Sequence, residues 1–148
     1  RYFQEPHSGG LGWGLTAALG MQLAERDRLV VATMGDGSYM FANPVACHQI
    51  AAAYDLPVLT IVFNNSGWNA VRNATLALYP GGAAAQANAM PLTGFSLSPD
   101  FVKVAESCGS YAERVARGAD LPAALERARH AVQQERRQAL LDVQVVME

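Results

Sequence analysis

Hydrophobic residues along the chain fall into two kinds of pattern, and their alternation sets the expected architecture. "LVVATM" (29–34) and "VLTIVF" (58–63) are continuous β-rich apolar runs of strand length. Strands of this kind bury both faces, as in a parallel sheet covered by helices. "SYAERV" (110–115) and "ALLDVQVV" (139–146) read as two further strands. Between the first two runs, "NPVACHQIAAAYDL" (43–56) reads as a helix, with Asn43 as N-cap and Pro44 at the first helical position. Strand, helix, strand is a βαβ unit whose crossover is expected to be right-handed.

Three more helices complete the alternation. "LGWGLTAALGMQLAER" (11–26) is apolar nearly all round, which predicts burial. "SPDFVKVAESCG" (98–109) carries Ser98 as N-cap, Pro99 at the first position and Gly109 as a stop. "DLPAALERARHAVQQE" (120–135) is capped by Asp120. The expected fold is α/β, a doubly wound parallel sheet with helices on both faces. Segment 79–97, rich in Gly, Ala and Pro, fits neither period and reads as a long functional loop.

Composition narrows the function. A chain of 148 residues accommodates one domain, spanning 1–148, and shows no internal repeat. A net charge of −2 with scattered Lys and Arg gives no basic stripe, which argues against nucleic acid as a partner. No apolar run approaches the ~20 residues of a membrane-spanning helix. Cys47 and Cys108 form no metal spacing and point to a reducing cytoplasm. No signal peptide is visible, and the opening at Arg1 without Met is read as loss of the natural N-terminus.

Chemistry concentrates at the ends of the first two strands. In an open parallel sheet, ligands bind beyond the carboxyl ends of the strands. "MGDGSYMF" (34–41) places Asp36 there, and "VFNNSGW" (62–68) places Asn65 there one βαβ unit later. A carboxylate, an amide oxygen and the carbonyl of Gly67 are hard oxygen donors suited to Mg²⁺, which fills its shell with phosphates and waters. Gly35 and Gly37 permit close backbone approach, and Ser38 can donate to phosphate. Either motif alone is an ordinary turn; the pairing across one helix is what signals a site. A competing pattern, Gly12, Gly14 and Ala17 followed by Asp36, mimics a dinucleotide fingerprint. That motif requires a strand immediately before it, and "RYFQEPHS" is a poor strand.

"GDG" at 35–37, 26 intervening residues and "NN" at 64–65 together resemble the cofactor motif of thiamine diphosphate-dependent decarboxylases and carboligases. "SGGLGWGLTAALGMQLAERDRLVVATMGDGSY" is similar to the matching segment of acetolactate synthase and benzoylformate decarboxylase-type enzymes. The likeness is detailed from Ser8 to Trp68 and looser over the tail. It implies the C-terminal, diphosphate-binding domain of such an enzyme. Asp36, the Asn65 side chain and the Gly67 carbonyl would hold Mg²⁺, and Gly37 and Ser38 would contact the diphosphate. The Gly9 carbonyl would accept from the pyrimidine amine, and Leu11 would wedge the cofactor into its bent form. Two departures stand out. The 29-residue step from Asp36 to Asn65 is about two longer than in relatives, which implies a short insertion in or before 43–56, and Thr16 replaces a common Pro.

The family works on 2-oxo acids, by decarboxylation or by joining two carbonyl compounds, as a lyase or transferase. It also needs a glutamate donated by a pyrimidine-binding domain, usually of another subunit. Glu5, Glu106 and Glu113 read as surface or capping residues, so the isolated chain is expected to be inactive. Expected partners are that complementary domain or subunit, in a homodimer or homotetramer, and a 2-oxo acid. His7 is expected beside the pocket, while Trp68, Ala70 and Val71 could line the substrate cavity. Trp13 is expected as core packing, His48 and Cys47 as no catalytic pair, and Arg136 and Arg137 as a solvated helix end. A non-catalytic cofactor module and a nicotinamide-binding domain remain the competing functions.

Overall fold

Four parallel strands pair side by side in the order β1-β2-β4-β3. They are β1 (Val30–Gly35), β2 (Val58–Asn64), β3 (Tyr111–Val115) and β4 (Ala139–Gln144). The computed structural model describes residues 2–6, 9–87 and 89–146; His7, expected beside the pocket, lies outside them. The helices are α1 (Trp13–Ala24), α2 (Asp36–Phe41), α3 (Pro44–Ala53), α4 (Asn69–Leu78), α5 (Ala83–Gln86), α6 (Phe101–Glu106) and α7 (Leu121–Gln133). None of them is long and apolar enough to cross a membrane.

The alternation of side chains along each strand divides the core in two. One face carries Ala32 and Met34 of β1, Val58 and Val62 of β2 and Leu140 of β4, packed against Leu15 and Leu19 of α1, Tyr39 of α2, Ala51 of α3 and Phe101 of α6. The other carries Leu59, Val115, Leu141 and Val143 beneath α7. Ala124, Ala128 and Ala131 form the buried stripe of α7, at the i, i+4, i+7 spacing of one helix face. Their small side chains let the helix lie close on the strands.

Several expectations are corrected. β1 does not bury both faces: Val31 is 46% exposed and Thr33 is exposed, because α7 packs mainly on β2, β3 and β4. Helix α1 buries one side only, and Trp13 is half-buried on it. Asn43 occupies the N-cap of α3 with a left-handed backbone (φ 53°) and makes no capping bond through its side chain. The helix at 98–109 starts at Phe101, with Asp100 rather than Ser98 accepting from the Lys103 N–H. Asp120 holds Arg117 in an ion pair instead of capping α7. Residues 69–78, for which no helix was expected, form α4, and the 79–97 segment contains the short α5. Arg136 and Arg137 lie exposed just past α7, as expected, and make surface ion pairs with Asp55 and Glu135.

A candidate cofactor site at the carboxyl ends of β1 and β2

Strand β1 ends at Gly35 and the chain turns directly into α2, so Asp36 is delivered at the carboxyl edge of the sheet, where it is 2% exposed. One strand over, β2 ends at Asn64 and residues 65–68 form a tight loop before α4. The two ends meet at one backbone amide. The Gly67 N–H lies 3.2 Å from Asp36 Oδ2 and 3.1 Å from Asn65 Oδ1, donating to both. Asp36 Oδ1 accepts from the Gly37 N–H at 2.9 Å. A carboxylate oxygen and an amide oxygen thus converge at the rim, as the motif spacing predicts. The 29-residue step is filled by α2, a short turn, α3 and β2, and Asn65 rather than Asn64 turns toward Asp36.

Burial raises the Asp36 carboxyl above its ordinary range, and the amides of Gly37, Gly67 and Ser66 oppose that rise by donating to the charged form. Among the described residues, backbone amides are what oppose the cost of burying this charge. The donor set fits a hard divalent cation: one carboxylate, one amide oxygen and a flexible glycine backbone in a region of low solvent access.

The neighbouring residues are held in ways that motif spacing does not reveal. Trp68 lies over Gly37, so a Cβ there would sit 2.4 Å from the indole ring. Trp68 also stacks edge-on against Phe41 and Phe95, with centroids 5.4 and 4.8 Å apart. It therefore packs over the Asp36 turn. Ala70 and Val71 lie exposed on α4. The loop is pinned from outside by Thr93 and Phe95, through Trp68 N–H to Thr93 O and Phe95 N–H to Ser66 O, both 2.8 Å.

The glycine-rich entry to α1 reaches the same rim. Gly12 adopts φ 98° and fits against the backbone of Phe41 and Ala42, where a Cβ would lie 2.7 Å from both. Its N–H donates to Ser38 Oγ at 3.2 Å, which leaves the Ser38 hydroxyl hydrogen available. Leu11, 49% exposed, projects from this turn, and Gly9 is half-buried with the Glu5 side chain against it. Among the described residues no strand precedes α1, so the Gly12, Gly14, Ala17 pattern is not a dinucleotide fingerprint.

Two buried polar groups were missed or underread in the sequence. Asp142, fully buried on β4, accepts from Arg114 Nε, Asn64 Nδ2 and Gln144 Nε2, each at 2.9 Å. A charged residue inside "ALLDVQVV" was the available signal. His48 bonds Gln138 Oε1 through Nδ1 at 2.6 Å and Tyr39 Oη through Nε2 at 2.8 Å. Because Gln138 Nε2 donates to the His48 carbonyl, its oxygen faces Nδ1, which must carry the proton. Cys47 turns instead to the Ala42 carbonyl, so the two neighbours form no pair.

Comparison with known proteins accords with this geometry. Residues 1–143 match the family model described as thiamine pyrophosphate enzyme, C-terminal TPP binding domain. Benzoylformate decarboxylase from Pseudomonas aeruginosa is 40% identical over 67 residues, 45% of this chain and 12% of that protein. A probable acetolactate synthase large subunit from Methanococcus aeolicus is 32% identical over 126 residues, 82% of this chain and 19% of that protein. The solved thiamine diphosphate-dependent 4-hydroxybenzoylformate decarboxylase of Rhodococcus jostii RHA1 superposes with a TM-score of 0.77 at 34% identity, covering 97% of this chain and 24% of that one. The chain thus spans less than a quarter of the length of each of these relatives. The fold, the paired strand ends and the matched family agree: this chain belongs to the C-terminal thiamine pyrophosphate-binding domains of thiamine pyrophosphate-dependent enzymes.

Proposed function

We propose that the domain binds the diphosphate of thiamine diphosphate through Mg²⁺, within a cytoplasmic 2-oxo acid decarboxylase or carboligase of the acetolactate synthase type. The carrying observation is the convergence of Asp36 and Asn65 on the Gly67 amide. In this reading Asp36, the Asn65 side chain and the Gly67 carbonyl hold the metal. Gly35, Gly37 and Ser38 face the diphosphate, Gly9 offers its carbonyl to the pyrimidine amine, and Leu11 supports the bent cofactor. The cofactor supplies the electron sink for breaking or making a bond beside the carbonyl of a 2-oxo acid. This chain's own share is to bind, orient and neutralise charge.

In this reading a pyrimidine-binding domain or subunit would supply the second wall of the site and the activating glutamate. That arrangement predicts a homodimer or homotetramer and an isolated chain without activity. A second reading, decarboxylation of an aromatic 2-oxo acid, is favoured by the 40% identity to benzoylformate decarboxylase and by the 4-hydroxybenzoylformate decarboxylase structure. A domain that keeps the cofactor but lacks catalysis is the remaining alternative. Incubating the full-length protein with thiamine diphosphate, Mg²⁺ and either pyruvate or benzoylformate separates them. Acetolactate from pyruvate supports the first reading, benzaldehyde from benzoylformate the second, and binding with no turnover of any 2-oxo acid the third.

A further inference from the structure

The metal loop has a support that lies outside the motif. Asp142 is an acceptor-only carboxylate, and it receives the Asn64 amide nitrogen at 2.9 Å. That contact decides which end of the Asn64 amide faces the loop. With Nδ2 committed to Asp142, Oδ1 faces Ser66 and accepts its N–H at 3.0 Å. Ser66 has φ 57°, a left-handed backbone that a residue with a side chain adopts only when its surroundings hold it there. This turn aims the next amide, Gly67 N–H, at Asp36 Oδ2 and Asn65 Oδ1. A flipped Asn64 would present a donor to a donor, and the Ser66 turn would lose its anchor.

Stability alone is a weak reason for a carboxylate at Asp142. A buried ion pair is often no better than apolar residues of the same volume. Arg114, 47% exposed, and Gln144 complete its partners, which makes the carboxylate a fixed point. We infer that Asp142 is a positioning residue for the metal loop, acting through Asn64 and Ser66 without touching metal or cofactor. This rests on the metal reading given above.

The test uses the full-length protein in variants Asp36→Ala, Asp142→Asn, Asn64→Ala and the double Asp142→Asn/Asn64→Ala. Two quantities are read: the Mg²⁺ concentration that half-saturates thiamine diphosphate binding, followed by calorimetry and by Trp68 fluorescence, and kcat at saturating Mg²⁺. Asp142→Asn is expected to raise the half-saturating Mg²⁺ about tenfold, the scale of lost support behind a metal ligand, with kcat within about twofold of the unsubstituted enzyme. The double variant is expected to be no worse than Asn64→Ala, because the two residues act in series. Unchanged Mg²⁺ dependence in Asp142→Asn, with binding lost in Asp36→Ala, overturns the positioning role and leaves the metal reading standing. Additive effects in the double variant overturn the route through Asn64. Normal binding by Asp36→Ala overturns the metal reading and this inference together. Should Asp142→Asn not fold, Arg114→Gln carries the test: a rise of about threefold or more supports the role, and no change overturns it.

Discussion

Asp36 and Asp142 are both buried carboxylates near the carboxyl edge of one sheet, yet their surroundings differ in kind. Asp142 is met by side chains: a guanidinium and two amides at 2.9 Å each. Asp36 is met by backbone N–H groups of residues 37 and 67. A guanidinium compensates a whole charge, whereas amide dipoles compensate part of one. Asp142 is therefore complete in itself and serves as a fixed point for the loop beside it. Asp36 keeps a demand for positive charge and sits at the rim, where a cation can meet it.

This contrast orders the expected effects of substitution. Asp36→Ala removes the one charged donor of the site and should weaken binding of thiamine diphosphate with Mg²⁺ by at least about a hundredfold, roughly 2.7 kcal/mol. Circular dichroism should show the fold intact. Normal cofactor affinity in that variant would erase the distinction between the two carboxylates. Asp142→Ala should also cost stability, by about 2–3 kcal/mol, since the buried amide of Asn64 and the Arg114 guanidinium lose their acceptor. Urea unfolding measures this, and a change below about 0.5 kcal/mol would show that the network carries little energy.

Asn65→Ala removes a neutral donor and should weaken Mg²⁺-dependent binding about tenfold, near 1.4 kcal/mol. A null result there would remove Asn65 from the site and leave Asp36 without its partner. The smallest effect concerns His48, a third buried titratable group met only by neutral partners. Burial holds its pKa below the ordinary 6.5. The unfolded chain therefore takes up a proton at this ring before the folded chain does. Its contribution is fully present above the unfolded value and is lost as pH falls through it toward the folded one. Urea midpoints should fall between about pH 7.5 and about pH 5.5, and His48→Gln should flatten that fall. Equal slopes would assign the pH dependence to other groups.

Legibility in the sequence followed the same division. The four strands and the helices α1, α3, α6 and α7 were visible because long apolar periods decide them. Helix α4 was not: "NAVRNATLAL" opens with Asn next to a glycine turn and buries none of its residues in this structure, so its pattern resembled loop. The partial exposure of β1 was hidden for a related reason. An apolar run says that a strand can be covered on both faces, not which neighbour covers it. Sheet order, with β4 between β2 and β3, is also set by packing that no local pattern records.

At the site, Asp36, Asn65 and Gly67 were legible because their backbone positions at strand ends are fixed by local chemistry. The Asp142–Asn64 contact joins residues 78 apart in sequence and depends on strand pairing. Trp68 over Gly37 depends on the path of a loop pinned by Thr93 and Phe95. The positions proposed to carry a ligand could be named from the sequence; the contacts that hold them still required the fold.

The central claim is that Asp36 and its loop form a cation-dependent diphosphate site. Calorimetric titration of the full-length protein with thiamine diphosphate, with Mg²⁺ and then with the metal chelated, tests it most directly. The account predicts saturable binding that requires Mg²⁺. Equal affinity without the metal, or no binding under either condition, would contradict it.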